Sequence, residues 1–269
     1  MPSRRTPEQM RILVTRPAHQ AGPLCRLLRE SGFRVLRFPV IGIVWRRLND
    51  DEAVLLRTAA EQELLLFTSV NAVQGFTDLL RDRDLPVPRH LLVAAIGAST
   101  AAALHAAGFD QVLAAPPPYT SEALLALPQL RGLEGRPVML VTGEGGRGLI
   151  ARQLRQDGVV LKVLPVYRRV LPDTAAEPLR QALAEGDLHL SIVTSGEALA
   201  NLQRLAGPRA WSRLQELPLL TVSERLAETA KRAGFTASIL VTRASDAALV
   251  HAVVGWSEQI TRGGHAHER

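Results

Sequence analysis

Short apolar runs alternate with amphipathic stretches along nearly the whole chain, and the two periods name the elements. Apolar runs at 11–15, 34–38, 64–68, 92–96, 111–114, 137–142, 159–164, 189–194, 218–222 and 238–242 predict strands. Helical patterns fall between them near 18–31, 50–62, 70–81, 99–107, 121–130, 147–157, 175–186, 196–205, 224–233 and 246–256. Strand and helix in regular alternation predict an α/β fold with parallel sheets covered on both faces. Leu64-Leu65-Leu66-Phe67 and Val138-Met139-Leu140-Val141 are continuously apolar, as strands buried on both faces must be. Pro116-Pro117-Pro118-Tyr119 is a stiff connection into a helix capped by Thr120 or Ser121. From about Ser257 the pattern fades, and 259–269 is expected to be a flexible tail.

The pattern also repeats itself. Gly32 and Gly158, Pro39-Val40 and Pro165-Val166, and Thr68-Ser69 and Thr194-Ser195 recur at a constant spacing of 126 residues. Ala106-Ala107-Gly108-Phe109 recurs as Arg232-Ala233-Gly234-Phe235 at the same spacing, and Leu13-Val14-Thr15 returns as Leu140-Val141-Thr142 at 127. A period this long is a duplicated α/β unit rather than a solenoid. It predicts two similar parallel-sheet lobes with a cleft between them. The segments 38–43 and 164–168, proline-marked and equivalent in the repeat, read as a two-stranded linker crossing between the lobes.

Composition narrows the class. The chain of 269 residues is 46% apolar and 22% charged, which suits two cores and excludes wholesale disorder. No apolar run approaches the roughly 20 residues of a membrane helix, so no membrane partner is expected. Residues 1–8 carry positive charge without an apolar stretch, and Cys25 is the single cysteine. A secretory signal is therefore not expected, and a reducing cytoplasm fits. The net charge is +6, and every basic residue except Lys162 and Lys231 is arginine. That is either a compositional habit or a sign of an acidic ligand, since arginine's planar fork suits carboxylate and phosphate. With aromatics at 4% and no basic block among them, nucleic acid is not an expected partner.

Candidate chemistry sits at strand ends. Gly143-Glu144-Gly145-Gly146-Arg147-Gly148 satisfies the dinucleotide pattern, but no acid follows at the end of the next strand. An anion-receiving helix N-terminus with Arg147 beside it fits better. Thr68-Ser69-Val70-Asn71 and Thr194-Ser195 follow buried strands and open helices, so they cap helices, bind ligand, or do both. Gly97-Ala98-Ser99-Thr100 and Ser223-Glu224 occupy the next strand end in each copy. Tyr167 falls where the other copy has Ile41. A phenol there either packs or gives a proton to a leaving group. No H-E-x-x-H, C-x-x-C or G-x-S-x-G motif occurs, and the histidines lack metal spacing. Cys25, on an apolar helical face, reads as packing.

Taken in order, several motifs resemble the uroporphyrinogen-III synthase family. They are Ile12-Leu13-Val14-Thr15-Arg16-Pro17, Phe38-Pro39-Val40-Ile41, Phe67-Thr68-Ser69-Val70-Asn71-Ala72-Val73 and Ala95-Ile96-Gly97-Ala98-Ser99-Thr100-Ala101. The series continues with Ser121-Glu122-Ala123-Leu124-Leu125, Gly145-Gly146-Arg147-Gly148-Leu149, Val166-Tyr167-Arg168-Arg169, Val193-Thr194-Ser195-Gly196-Glu197 and Val222-Ser223-Glu224-Arg225-Leu226-Ala227. The resemblance covers about 11–255. It implies one lobe of 1–39 with 167–258, a second of 40–166, and an active site in the cleft. It implies a cytoplasmic, monomeric enzyme that closes hydroxymethylbilane to uroporphyrinogen III, inverting ring D and losing water, with no metal or organic cofactor. Transient contact with the preceding pathway enzyme is a further implied partner. Tyr167 matches the tyrosine that assists departure of the hydroxyl. Thr68, Ser69, Gly97, Ser99 and Thr100 match substrate-contacting strand ends and Thr15 and Arg16 the first of them, while Asn71, Ser121, Gly145, Gly146, Arg147, Thr194 and Ser195 are further candidates for substrate binding. Ser223 stands where the family often has a Gly-x-x-Thr turn. The other readings are a non-catalytic two-lobed binder of an anionic small molecule and a nucleotide-dependent enzyme using the Gly143 loop.

Overall fold

The computed structural model describes residues 7–117, 119–145 and 148–263. After a short 3-10 turn come β1 (Arg11–Val14), α1 (Ala21–Glu30), β2 (Arg34–Arg37), β3 (Gly42–Trp45), α2 (Asp50–Arg57), β4 (Leu64–Phe67) and α3 (Val70–Arg81). β5 (Leu92–Ala95), α4 (Ala98–Ala106), β6 (Gln111–Ala114), α5 (Ser121–Leu125), β7 (Pro137–Gly143), α6 (Leu149–Gln156) and β8 (Val160–Val170) follow. The chain closes with α7 (Glu177–Ala184), β9 (Leu190–Ile192), α8 (Gly196–Ala206), α9 (Pro208–Gln215), β10 (Leu219–Thr221), α10 (Glu224–Arg232), β11 (Ile239–Val241) and α11 (Asp246–Gly263).

These elements form two compact units, Met1–Gly42 with Val170–Arg269 and Ile43–Arg169. In the first unit the sheet order is β11-β10-β9-β1-β2, and every pairing is parallel. In the second it is β3-β8-β7-β4-β5-β6, with β4 to β8 parallel throughout. The sequence repeat equates β9, β10 and β11 with β4, β5 and β6, and β1 and β2 with β7 and β8. Both sheets therefore have one strand order, and β3 is an extra edge strand beside β8. Repeat and unit are nonetheless out of phase: each sheet joins three strands from one copy to two from the other. The glycine pairs Gly32/Gly158 and Gly108/Gly234, all at positive φ, mark the same helix-to-strand turns in both copies.

The cores explain why the strands are continuously apolar. On β4, Leu65 and Phe67 pack with Phe76, Phe109, Met139 and Val141 on one face, while Leu64 and Leu66 pack with Leu124, Leu140, Ile150 and Leu154 on the other. In the first unit Ile12 and Val14 meet Leu24, Leu28, Ile192, Leu249 and Val253, so α1 and α11 cover one face of its sheet. Arg11 and Arg34 both reach Asp187, at 3.0 and 2.7 Å, and the Arg11 amide donates to His189 Nδ1. These contacts tie the first two strands to the segment entering β9.

Four expectations differ from the structure in detail. First, the chain passes between units at Gly42/Ile43 and Arg169/Val170, three residues beyond the expected 39/40 and 166/167, so Tyr167 falls with 43–169. The reason is that β8 continues past Pro165: a bulge opposite Thr142/Gly143 absorbs one residue, and Val166 and Tyr167 are both buried in succession. Second, helix α9 stands in 206–217, where no element is expected. Pro208 sits in its first turn, where the missing N–H costs nothing, and Ala210, Trp211 and Leu214 are buried. Third, the final helix runs to Gly263, past the expected fraying at 257, because Trp256 and Ser257 are buried. The rest of the expected tail, 264–269, lies outside the described residues. Fourth, the fifth helix spans only Ser121–Leu125 and is capped by Thr120, whose Oγ1 accepts from the Ala123 amide at 3.2 Å. No helix among the described residues is long and apolar enough to cross a membrane.

Candidate active site

A parallel sheet gathers the carboxyl ends of its strands on one edge, and loops diverge where strand order reverses. In the second unit that point lies between β4 and β7; in the first, between β1 and β9. The residues that end or leave those four strands are Thr68-Ser69, Thr142-Gly143, Thr15-Arg16 and Val193-Thr194-Ser195.

The second-unit switch point is a hydroxyl cluster backed by a phenol. Thr68 Oγ1 donates to Thr142 Oγ1 at 3.0 Å, joining the two strand ends. Ser69, in extended conformation, accepts the Ala72 amide on Oγ at 3.1 Å and so caps α3. The same Oγ lies 3.0 Å from the hydroxyl of Tyr167. Tyr167 is only 1% exposed, and the Arg169 guanidinium donates to its hydroxyl at 3.5 Å. Trp45 meets the ring edge-on, with centroids 6.4 Å apart. A Cβ at Gly143 would lie 2.6 Å from Tyr167 Cζ, so only glycine admits the ring there. Behind this cluster Arg46 donates to the Pro165 carbonyl and to Glu52, both at 2.7 Å, pinning the bulged stretch of β8.

The first-unit switch point is built differently. Thr15, the repeat partner of Thr142, is 1% exposed and donates to the Ile192 carbonyl at 2.8 Å. Its hydroxyl fastens β1 to β9. Arg16 forms an ion pair with Asp246, so its guanidinium already holds a carboxylate of its own unit. Ser195 caps α8 through the Ala198 amide at 3.1 Å, matching Ser69, and Ser223 caps α10 through Leu226 at 3.3 Å. No phenol stands behind Ser195: the Tyr167 counterpart is buried Ile41.

The remaining expected residues divide by exposure. Ser99 is exposed, Thr194 and Ser121 are half-buried, and Gly97 opens α4 with open space around its Cβ position. Thr100 and Asn71 are buried. Gly145 is an exposed turn residue at positive φ; Gly146 and Arg147 lie outside the described residues. Since α6 begins only at Leu149, Gly143 serves the tyrosine ring and not a helix end. Cys25 is buried, and burial raises its thiol pKa above the ordinary value, against smaller opposing effects of Arg37, Arg29 and Arg16. Thr142 and Arg169 join the candidate site without a sequence expectation. The repeat held a signal for Thr142, as the partner of Thr15; nothing local distinguishes Arg169 from Arg168.

Fold and strand ends together define a duplicated α/β protein of the kind that holds small molecules at the carboxyl edges of parallel sheets. The family model described as uroporphyrinogen-III synthase HemD matches residues 23–251. The chain is 34% identical over 249 residues to the uroporphyrinogen-III synthase of Escherichia coli K12, covering 91% of this chain and 100% of that one. It is 36% identical over 253 residues to that of Salmonella typhimurium LT2, again covering 91% and 100%. A mutant uroporphyrinogen III synthase structure from the extremely thermophilic bacterium Thermus thermophilus shares the fold at a TM-score of 0.62 and 19% identity, covering 94% of this chain and 99% of that one. The chain belongs to the uroporphyrinogen-III synthase family.

Proposed function

We propose that this protein closes hydroxymethylbilane to uroporphyrinogen III, with inversion of ring D and loss of water, and needs neither metal nor organic cofactor. The match to family members over nearly the whole chain carries the reading. The site chemistry suits it. The substrate's acetate and propionate arms are carboxylates, and the capped helix starts at Ser69, Ser195 and Ser223, with Gly97, Ser99, Thr100, Thr68, Asn71, Ser121, Gly145 and Thr194, offer hydroxyls, amides and helix N-termini to them. Thr15 and Arg16, named among the expected substrate contacts, also hold the end of β1 to β9 and to the start of α11. Loss of the hydroxymethyl oxygen leaves an electrophilic azafulvene, which the substituted carbon of ring D attacks before the spiro intermediate fragments and recloses. Uncatalysed closure proceeds without inversion, so positioning is the main task. Tyr167 supplies the proton that the departing hydroxyl needs. The protein acts as a monomer in the cytoplasm and meets the preceding pathway enzyme transiently.

The test is direct. Dialysed protein with chelator present is given hydroxymethylbilane, and type I and type III products are separated after oxidation. Type III product is expected from the parent, and Tyr167→Phe is expected to slow single-turnover formation about 10²-fold. Type I product alone, or activity restored only by added metal or nucleotide, would overturn the reading.

A further inference from the structure

Tyr167 has a catalytic assignment but is almost wholly buried. It is 1% exposed and enclosed by residues of its own unit: Gly143 against the ring, Trp45 at its edge, Ser69 and Arg169 at its hydroxyl. Ser69, by contrast, is half-buried at the strand end. We infer that Ser69 is the residue that protonates the substrate's departing hydroxyl, and that Tyr167 and Arg169 act through it as a proton supply. The inference rests on the synthase reading above and deepens it.

Hydrogen-bond bookkeeping sets the direction. An arginine can only donate, so the Arg169 contact occupies an acceptor site of the phenolic oxygen and gives no outlet to the phenolic proton. Ser69 Oγ is the acceptor at hand for that proton, and a buried O–H without an acceptor is disfavoured. Ser69 Oγ then accepts twice, from Tyr167 and from the Ala72 amide at 3.1 Å. A serine hydroxyl has two lone pairs and one proton. With both lone pairs filled, its proton is left to donate outward.

The step balances within these groups. Ser69 O–H gives its proton to the hydroxymethyl oxygen as the C–O bond breaks, with the pyrrole nitrogen supplying the electron pair, and water leaves. The Tyr167 proton moves to Ser69 Oγ, and the resulting phenolate lies beside the Arg169 guanidinium, whose charge sits 6.0 Å from the ring centroid. At reclosure the attacking pyrrole carbon sheds its proton, which returns through Ser69 to Tyr167. Arg169 is a positioning residue here, since it acts on the phenol and not on the reacting atoms.

A double-mutant cycle on single-turnover formation of type III product tests the relay. Ser69→Ala and Tyr167→Phe are each expected to cost about 10²-fold, and the double variant no more than about 3-fold beyond either. Because Ser69→Ala also removes a helix cap, Ser69→Asn is run beside it. It keeps a capping acceptor but cannot pass a proton from donor to acceptor, and should be as slow as Ala, while Ser69→Thr restores most of the rate. Arg169→Gln should slow the parent and have no further effect on Tyr167→Phe. The solvent isotope effect should fit two protons in flight in the parent and one in Tyr167→Phe. Multiplicative losses near 10⁴-fold in the double variant, parent-like rates in Ser69→Asn, or one proton throughout would overturn the relay. A parent that forms no type III product would instead sink the synthase reading itself.

Discussion

At the scale of single residues, the site depends on one missing side chain. Gly143 is where β7 ends against the ring of Tyr167, and a methyl there would meet Cζ at 2.6 Å and the hydroxyl at 2.9 Å. Gly143→Ala is therefore expected to destabilise the protein by about 1–3 kcal/mol and to displace the tyrosine. Urea unfolding and near-ultraviolet circular dichroism read the two effects. An unchanged midpoint would mean that β8 gives way freely. Cys25 has the opposite character, a polarisable group sealed in the core of the first unit. Its raised thiol pKa means that the folded state keeps the proton longer than the unfolded chain. That contribution is present below the ordinary thiol value and lost as pH rises through the folded one. Alkylation of native protein at mildly alkaline pH should be far slower than in urea. Equal rates would show the thiol to be accessible.

At the scale of elements, one device recurs: a buried strand ends in a hydroxyl residue that caps the next helix. Ser69 and Ser195 are the matched pair, each accepting an amide at 3.1 Å, but only Ser69 has a tyrosine behind it. Ser195→Ala should cost about 1 kcal/mol of stability. Its rate loss should be far smaller than that of Ser69→Ala, since no proton supply is interrupted. Measuring both variants by urea unfolding and single turnover separates capping from chemistry, and equal rate losses would remove the distinction. Most of these elements are legible in the sequence. Apolar runs such as Leu64–Phe67 declare strands because burial on both faces leaves no polar position. By contrast, β3 reads only as an extended crossing, and α9 falls where no element is expected. Pairing stabilises the one and packing the other.

At the scale of the molecule, the offset between repeat and unit has a folding consequence. Residues 43–169 hold their sheet, short of one end residue each of β3 and β8, and the two cores described for it in one continuous stretch. Expressed alone, this segment should unfold cooperatively in urea. The segment 170–269 lacks β1 and β2, so its sheet would end at β9 with an unpaired edge. It should remain poorly folded until Met1–Gly42 is added in trans. Cooperative folding of 170–269 alone would show that the first two strands are dispensable.

The sequence by itself determined the class of fold, the duplication, ten of the strands and the residue types at their ends. Period, apolar run length and spacing are local quantities, and each is set by burial along a single element. The family resemblance could likewise be read from ordered short motifs. Tertiary structure alone decided which copy supplies which strand, because pairing between residues far apart in the chain leaves no local trace. It also decided the duty of each hydroxyl. Thr15 and Thr142 are equivalent in the repeat, yet Thr15 donates to a carbonyl of the neighbouring strand while Thr142 accepts from Thr68 and donates to the next residue's carbonyl. Only the bulge at Pro165-Val166 turns Tyr167 inward onto Ser69, where a buried phenol needs an acceptor and a half-buried serine supplies it.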